Sequence, residues 1–326
     1  MKKLLTLALC ILMVMSVVSC GETNTDDTTA TVKFGAGVYT GAPTVADASE
    51  DKDGTGKVDV TVAAITVDTD GKIVACAVDT ASNTVKFTAD GKAVANDSFM
   101  TKYEQGADYN MVAYGGAAKE WFEQADAFET VVVGKTLDEV KALVADANKG
   151  TDEVINAGCT IMIHEFVGAI EKAYAAANTE ISADTTLKVS MATEQTLTDA
   201  TEEKDGSNKV AVNVFAAATT ADGKVAAASS DCVEVSFTFT AEGVSTHDTT
   251  KAVISKKDAG ANYGMVAYGG AAKEWFEQAA AFDAACVGKT TEEIAGLVGE
   301  DGRGTEEVQN AGCTIYVTGF VKAATK

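Results

Sequence analysis

Residues that could do chemistry occur twice in this sequence. The stretch MVAYGGAAKEWFEQA occupies residues 111–125 and again residues 265–279, and NAGCTI occupies residues 156–161 and again residues 310–315. Together the two stretches carry tyrosine, glycine, cysteine and threonine residues, and the spacing of these residues is identical in the two copies. A site that both copies share must keep its residues in both, so residues without a counterpart are weaker candidates.

A Tyr-Gly-Gly sequence precedes a predicted helix in each copy. Glycines before a helix leave backbone N–H groups exposed where the helix dipole favours an anion such as phosphate. The tyrosine, together with a tryptophan of the same repeat, could stack on a planar ring. The alternative is a tight turn followed by core packing. The candidate binding residues of this kind are Tyr114, Gly115 and Gly116 and their counterparts Tyr268, Gly269 and Gly270.

The second repeat places a threonine directly after a cysteine. Cys159 and Cys313 have no CxxC partner and no accompanying histidine in both copies, so neither a redox pair nor an activated thiolate is predicted. Thr160 and Thr314 follow these cysteines. Their hydroxyl groups are candidate hydrogen-bonding or attachment points.

The two histidines, His164 and His247, lack counterparts in the other copy. A histidine general base or a histidine metal site is therefore not predicted, and no shared nucleophile with a matching base can be named. We predict no catalytic residue and no bound metal. The chain is expected to be an electron carrier or a binding protein more than an enzyme.

Net charge and cysteine content narrow the class of protein further. The formal net charge is −22, and so acidic a surface repels nucleic acid, which we exclude as a partner. Of the seven cysteines, five lie beyond Cys10 and Cys20. An odd number cannot pair completely, so we expect free and mostly buried thiols.

The N-terminus has the order of a secretory signal. Lys2 and Lys3 precede an almost wholly apolar segment, residues 4–18, which is short for a helix that spans a membrane. The sequence VVSC that follows resembles the bacterial lipobox, in which the cysteine after the cleavage site receives a diacylglycerol thioether. The resemblance implies that Cys20 is lipidated and anchors the protein to the outer face of a bacterial membrane.

Strands precede helices within each copy. Residues 58–67 are rich in β-branched side chains and end at an Asp-Gly turn, and the segments 72–78 and 84–89 continue an antiparallel meander. The corresponding strands in the second copy are predicted at residues 209–217, 224–229 and 233–241.

The second part of each copy has helical patterns. Apolar residues at spacings of three and four predict a helix over residues 117–132, and Thr136 with Glu139 forms a capping box that Thr290 and Glu293 repeat. NAGCTI is predicted as a strand, followed by a last helix over residues 165–177. The sequence therefore predicts an α+β protein with two tandem copies of an antiparallel β-meander packed against C-terminal helices.

These patterns divide the chain into five segments. They are a signal peptide at residues 1–19, an acylated cysteine and flexible tether at 20–32, a first repeat domain at 33–178, a linker at 179–185 and a second repeat domain at 186–326.

Each whole copy resembles repeat domains of clostridial-type surface lipoproteins that are grouped with FMN-binding-domain proteins. In flavinylated members of that wider family, an Asp-x-x-Ser/Thr-Gly-Ala-Thr/Ser motif presents its last residue to a flavin transferase, which attaches FMN through a phosphoester. Residues 157–160 and 311–314 are similar to the last four positions, so the resemblance implies that Thr160 and Thr314 contact FMN. Val154 and Val308 stand where the motif has its aspartate. Noncovalent FMN and the absence of any flavin are the alternatives.

The expected function is that of a membrane-anchored extracytoplasmic lipoprotein that binds FMN and relays electrons, with a flavin transferase or a redox protein as partner. The alternative is a surface module without a cofactor that binds a ligand or a partner protein around Tyr114 and Tyr268.

Overall fold

The computed structural model of the protein describes residues 30–326. The predicted signal peptide, the lipidation site at Cys20 and most of the predicted tether lie outside the described residues. Within residues 30–326, no helix has the length and apolar character needed to cross a membrane.

Two antiparallel sheets form the centre of the molecule. The larger sheet has the strand order β5-β4-β3-β1-β6, with β2 paired to the start of β3, and the smaller sheet has the order β7-β8-β9. The strands are β1 (Thr31–Thr40), β2 (Thr44–Ala46), β3 (Gly54–Val67), β4 (Ile73–Phe87), β5 (Ala93–Val94), β6 (Thr179–Ser182), β7 (Thr186–Thr198), β8 (Gly206–Thr219) and β9 (Val225–Phe239).

Helices follow the strands in each half of the chain. We call residues 30–178 the N-terminal half and residues 186–326 the C-terminal half. The helices are α1 (Lys102–Gln105), α2 (Trp121–Val132), α3 (Leu137–Lys141), α4 (Asp152–Ala157), α5 (His164–Ala175), α6 (Lys256–Ala259), α7 (Trp275–Cys286), α8 (Thr291–Ala295), α9 (Glu306–Asn310) and α10 (Thr318–Ala324). The predicted α+β class is confirmed.

The alternation of side chains along β3 and β8 fixes which face meets the helices. On β3, Ala63 and Ile65 pack against α2 and α5, whereas Val60 and Val62 face the other sheet. Strand β8 divides its residues in the same way between α7 and α10 on one face and the larger sheet on the other. Because both faces are covered, the second half of each strand is buried almost throughout, and most of its residues are apolar.

The molecule therefore has four layers, with helices outside and the two sheets packed face to face inside. Phe87 at the end of β4 stacks on Phe239 at the end of β9, with ring centroids 4.5 Å apart and planes 4° from parallel. Both rings are fully buried. Burying a side chain of this size stabilises a protein by about 1.5–3 kcal/mol, so the contact between the sheets belongs to the stable core.

Polar contacts between the halves come in matched pairs. Ala48 N–H donates to the carbonyl of Gly243 and Ala200 N–H donates to the carbonyl of Gly91, each at 2.8 Å. Both glycines have positive φ and touch the opposite half so closely that a Cβ would lie 2.8 Å from a backbone Cα.

Ion pairs between the halves also come as a matched pair. Lys172 pairs with Asp258, and Lys326 pairs with Glu104 at 2.8 Å. In each pair, a lysine in the last turn of the last helix of one half, or just after that helix, contacts a carboxylate of the short helix in the other half. The two halves therefore form one continuous structure.

Several boundaries differ from the sequence predictions. The segments predicted as separate strands on either side of residues 79–83 form one long strand, β4, and the same holds for β9. The predicted linker contains β6, which pairs with β1, and the last two residues assigned to the tether belong to β1. The antiparallel pairing of β3 with β4 and of β8 with β9 is confirmed.

The NAGCTI prediction is wrong. Asn156 and Ala157 end helix α4, Gly158 turns the chain with a φ of 106°, and residues 159–161 form a loop. Gly158 ends the preceding helix in a left-handed conformation, and the residues after it turn as a loop and do not form a strand. The last predicted helix is confirmed as α5, and the two capping boxes at Thr136 and Thr290 are confirmed at the start of α3 and α8.

Candidate functional site

The repeated stretch MVAYGGAAKEWFEQA forms a loop that a glutamate ties to its own helix. Helix α2 begins at Trp121, four residues later than predicted, and Glu120 caps it in a reciprocal capping box with Glu123. The Glu120 carboxylate also accepts the backbone N–H groups of Met111 and Val112 at 2.9 and 3.2 Å. An acidic side chain thus already occupies the end of the helix where we expected an anion to bind.

The C-terminal half repeats these contacts. Glu274 caps α7 and accepts the backbone N–H groups of Met265 and Val266 at 2.9 and 3.2 Å. Residues 115–116 and 269–270 lie in the exposed loops before these caps, away from the helix ends. The argument for an anion at the glycine–helix junction therefore loses its physical basis in both halves.

The two tyrosines of these loops project into solvent. Tyr114 is 89% exposed and Tyr268 is 92% exposed, whereas Trp121 and Trp275 are buried beneath the loops. The expected pairing of tyrosine and tryptophan around one ring is therefore not formed.

The two threonines are exposed at the surface, each beside a buried glutamine. Thr160 donates its hydroxyl to Gln124 Oε1 at 2.9 Å, and the same oxygen accepts the backbone N–H of Thr160 at 2.8 Å. Thr314 and Gln278 repeat both contacts. The shared glutamine therefore holds the Cys-Thr loop against the helix, which gives the identity of this residue in both copies a structural reason.

The cysteines of the described residues are free thiols, as predicted, and four of the five are buried. Burial raises the pKa of Cys159 and of Cys313 to about 11. These thiols are therefore neutral at physiological pH, and an activated thiolate is excluded at both positions.

The C-terminal half contains an open pocket of about 490 Å³ beside Thr314. Its floor is the outer face of β8 and β9, and its rim is formed by α10 and the loops that carry Arg303 and Tyr316. We call this cavity the ring pocket. Its ring and cation side chains, together with the threonine, are Tyr263, Trp275, Tyr316, Lys256, Arg303 and Thr314.

Cations lie against the aromatic rings of the ring pocket. The Lys256 ammonium is 5.2 Å from the centroid of Tyr263 and 5.6 Å from that of Trp275, and it pairs with Glu234 at 3.1 Å. The Arg303 guanidinium lies 5.2 Å from the centroid of Tyr316. A cation in this position is attracted to the face of the aromatic ring, so each contact holds the cation close to its ring.

Arg303 is the only arginine in the sequence. Its Nη1 donates to the carbonyl of Thr314 at 3.0 Å, and within residues 30–326 it takes part in none of the ion pairs. Tyr316 is 68% exposed, so its ring is accessible from the pocket. The pocket therefore offers an unpaired guanidinium next to a threonine hydroxyl and an accessible ring.

The two halves differ in the residue that begins the last helix beside this position. Gly319 at the start of α10 corresponds to Glu165 of α5, whose carboxylate accepts a hydrogen bond from Thr61 at 3.2 Å. A Cβ at Gly319 would lie 2.2 Å from Asn213 Nδ2, so the glycine lets α10 pack closely against Asn213 in the C-terminal half. Lys149 and Met162 pair by a β-bridge in the N-terminal half, as Arg303 and Tyr316 do in the C-terminal half.

Sequence reasoning selected Thr314 and the tryptophan of the repeat, but it missed Arg303, Tyr316 and Gly319. Arg303, Tyr316 and Gly319 differ from their counterparts, and the requirement that site residues be repeated excluded all three. The single arginine of an acidic chain was the available signal.

No protein-family model matches the chain, and no curated protein and no solved structure is significantly similar to it. The resemblance to FMN-binding-domain lipoproteins stays a prediction.

Proposed function

We propose that this chain is a lipid-anchored extracytoplasmic protein that binds FMN in the ring pocket and carries electrons at the membrane surface. The observation that supports the proposal is the placement of Arg303 and Tyr316 beside Thr314. A guanidinium recognises phosphate, and an accessible tyrosine stacks on a planar ring.

The ring pocket fits the size and chemistry of such a ligand. Its volume lies within the range of about 300–1,000 Å³ that is usual for small-molecule sites. Arg303 supplies a positive charge that no ion pair among residues 30–326 neutralises, whereas Lys256 pairs with Glu234. When bound, the flavin supplies the redox chemistry, and the protein supplies placement and electrostatics.

We also propose that the two halves are tandem copies of one domain and that only the C-terminal copy binds the ring. The repeated sequences, the equivalent strands that begin at Gly54 and Gly206, and the matched contacts between the halves support this origin. Anchoring through Cys20 at the outer face of the membrane completes the proposal.

The test is a titration of the full chain with FMN and with riboflavin, followed by flavin fluorescence. Tyr316→Ala is expected to weaken FMN binding about tenfold, since ring stacking contributes about 1–3 kcal/mol. Arg303→Ala is expected to remove the preference for FMN over riboflavin, which lacks the phosphate. The matched controls in the N-terminal half are Met162→Ala and Lys149→Ala, which should leave FMN binding unchanged.

Two outcomes would contradict the proposal. One is the absence of any FMN affinity in the unmodified chain, and the other is an equal effect of the variants in both halves. Covalent attachment is tested by intact mass after coexpression with a flavin transferase, with Thr314→Ala and Thr160→Ala as the two matched variants. An added mass that Thr314→Ala removes and Thr160→Ala retains would place the flavin in the C-terminal half.

The second candidate function is partner binding by the exposed loops. Tyr114 and Tyr268, with the neighbouring Val112 and Val266, present the same apolar surface in both halves. Exposed apolar side chains grouped in this way are typical of interaction sites. A peptide and glycan array tests this function, and binding that Tyr114→Ser combined with Tyr268→Ser abolishes would support it.

A further inference from the structure

A second cavity, of about 360 Å³, lies where the two halves meet. One wall comes from β4, α2 and the segment around α1, and the opposite wall comes from β7. We call it the central cavity. Its polar side chains on the N-terminal half are Asp79, Thr101, Tyr103, Glu104 and Glu129, and β7 contributes residues 187–191.

Two carboxyl groups of the central cavity have no cation partner among the ion pairs of residues 30–326. Asp79 is 4% exposed, and its Oδ1 accepts the backbone N–H groups of Thr80 and Tyr103 at 2.7 and 3.2 Å. Glu129 Oε1 accepts the backbone N–H of Val78 at 2.7 Å. Burying unpaired carboxylates is costly, so a positive charge at this position would stabilise the site.

The nearby lysines form no ion pair with Asp79 or Glu129 among residues 30–326. The Lys326 ammonium lines the cavity but pairs with Glu104 at 2.8 Å. Lys188 is the other basic residue of the wall, and its side chain lies on an exposed position of β7. Burial raises the pKa of Asp79 to about 6 and that of Glu129 to about 7, which agrees with carboxyl groups that lack a counter-charge.

In the C-terminal half, a lysine supplies the positive charge beside the corresponding carboxylates. Asp231 and Asp283 correspond to Asp79 and Glu129, and Lys257 stands at the position of Tyr103. The Lys257 ammonium lies 4.0 Å from Asp283 Oδ2 and donates to Ser229 Oγ at 2.8 Å. That half therefore carries its own ammonium group against its buried carboxylates.

Tyrosine cannot replace this charge in the N-terminal half. The Tyr103 hydroxyl donates to Asp126 Oδ1 at 2.8 Å and stays neutral. The remaining wall is apolar, with Leu187, Val189 and Met191 facing the carboxyl groups. A ligand that matches both walls has an ammonium group at one end and a short hydrocarbon chain.

We propose that the central cavity binds a small primary amine whose ammonium group pairs with Asp79 and Glu129, as Lys257 pairs with Asp283 in the other half. Its hydrocarbon chain lies on the apolar wall from β7. This site is separate from the ring pocket and does not depend on flavin binding.

The pH dependence of amine binding follows from the groups around the site. Asp79 is faced by Thr101, Tyr103 and Glu104, and Glu129 is faced by Asp126, Asp79 and Cys76. An ammonium group favours the ionised form of both carboxyls. Binding at pH 7 therefore releases protons, and binding weakens as the pH falls below 6.

The test is calorimetric titration of the full chain at pH 8 with n-butylamine as the probe, and with n-butanol and butyrate as ligands of matched size. A ligand of this size is expected to bind with a Kd of about 1 mM. n-Butanol and butyrate are expected not to bind. A comparison of two buffers that differ in ionisation enthalpy at pH 7 measures the proton release.

Two variants test the residues. Glu129→Gln and Tyr103→Lys are each expected to weaken n-butylamine binding about tenfold or more, the first by removing a carboxylate and the second by supplying a tethered ammonium. The matched control is Glu153→Gln, which removes an exposed carboxylate from the Lys135–Glu153 pair.

Tyr103→Lys keeps the test decisive because it introduces a residue that the C-terminal half already accommodates. Unchanged amine affinity in this variant, with a native circular dichroism spectrum, would overturn the proposal. Equal binding of n-butanol and n-butylamine would overturn it as well, because the cavity would then recognise only the hydrocarbon chain.

Discussion

The two halves of this protein share a scaffold and differ where a ligand could enter. At the outer face of the sheet, the N-terminal half has Glu165 hydrogen-bonded to Thr61, whereas the C-terminal half has Gly319 beside Asn213 and an open ring pocket. The residues identical in both halves, such as Glu120 and its counterpart Glu274, cap helices and hold loops. These identical residues therefore serve structure, whereas Arg303 and Tyr316 differ between the halves and belong to the candidate site.

In the central region the halves also differ, but here the cavity is lined by the buried carboxyl groups of the N-terminal half. Here the C-terminal half fills its position with Lys257, and the N-terminal half leaves Asp79 and Glu129 facing a cavity. The two halves thus differ in the residues that line each of the two cavities. These differences are the basis of the two separate binding proposals.

The contact between the halves gives the largest expected effect on stability. Phe87→Ala removes a fully buried ring from the stack with Phe239, and we expect the free energy of unfolding to fall by about 3–4 kcal/mol. Phe239→Ala should cost a similar amount, because it removes the other ring of the stack. Urea denaturation followed by tryptophan fluorescence measures both.

The double variant sharpens this comparison. Because the two rings touch, the combined loss should be smaller than the sum of the single losses. A single cooperative transition is expected for the unmodified chain. Two separate transitions, one for each half, would contradict the conclusion that the sheets form one core.

Lys257→Met tests the buried charge of the C-terminal half. The substitution leaves Asp231 and Asp283 without their ammonium partner, and we expect a loss of about 2–3 kcal/mol at pH 8, since Lys257 is partly exposed. Burial raises the pKa of both carboxyls, so they become protonated readily as the pH falls. The loss should therefore shrink between pH 8 and pH 5.

The matched variant in the N-terminal half is Tyr103→Met. No ammonium is removed there, so its effect on the free energy of unfolding should be nearly the same at pH 5 and pH 8. Thermal unfolding of both variants at the two pH values distinguishes them. An equal pH dependence in the two variants would show that Lys257 does not act through its charge.

Glu129→Gln tests the unpaired carboxyl of the N-terminal half. The folded-state pKa of Glu129 is raised from 4.5 to about 7, chiefly by burial, so folding favours the protonated form. The stabilising contribution of Glu129 is complete below pH 4.5 and is lost as the pH rises through 7. Glutamine removes this loss, so the variant should be more stable than the unmodified chain at pH 8, by on the order of 2 kcal/mol.

At pH 4 the two proteins should have nearly equal stability, because the unmodified Glu129 is then protonated. Urea denaturation at pH 4 and pH 8 checks the sign. A variant that is less stable than the unmodified chain at pH 8 would mean that a cation already pairs with Glu129.

Local patterns in the sequence were sufficient to predict the strands and the capped helices. β-Branched runs closed by Asp-Gly turns gave β3 and β8, and the Thr136–Glu139 spacing gave α3. These features depend on neighbours in sequence, which the chain displays directly. Residues 62–67, apolar except for Thr66, are buried on both faces of the sheet, although the sequence analysis predicted only helices against the sheets.

The sites could not be predicted in the same way because they depend on contacts between distant segments. The ring pocket joins residues from β8, β9, α7 and α10, and the central cavity joins both halves. The search for repeated residues did not select Arg303 and Tyr316, because the other half has Lys149 and Met162 at these positions. Only the structure brings Arg303 next to Thr314.

The exposed loops give the smallest expected effect. Tyr114→Ser and Tyr268→Ser should each change the free energy of unfolding by less than about 0.5 kcal/mol, because both side chains are almost fully exposed. The identical residues Glu120 and Glu274 cap helices, whereas these two tyrosines belong to neither the core nor a helix cap. Thermal unfolding of the two variants therefore tests whether these identical tyrosines serve structure. A loss of more than about 1 kcal/mol would assign them a structural role. A negligible loss leaves partner binding as the reason that both loops carry the same residue.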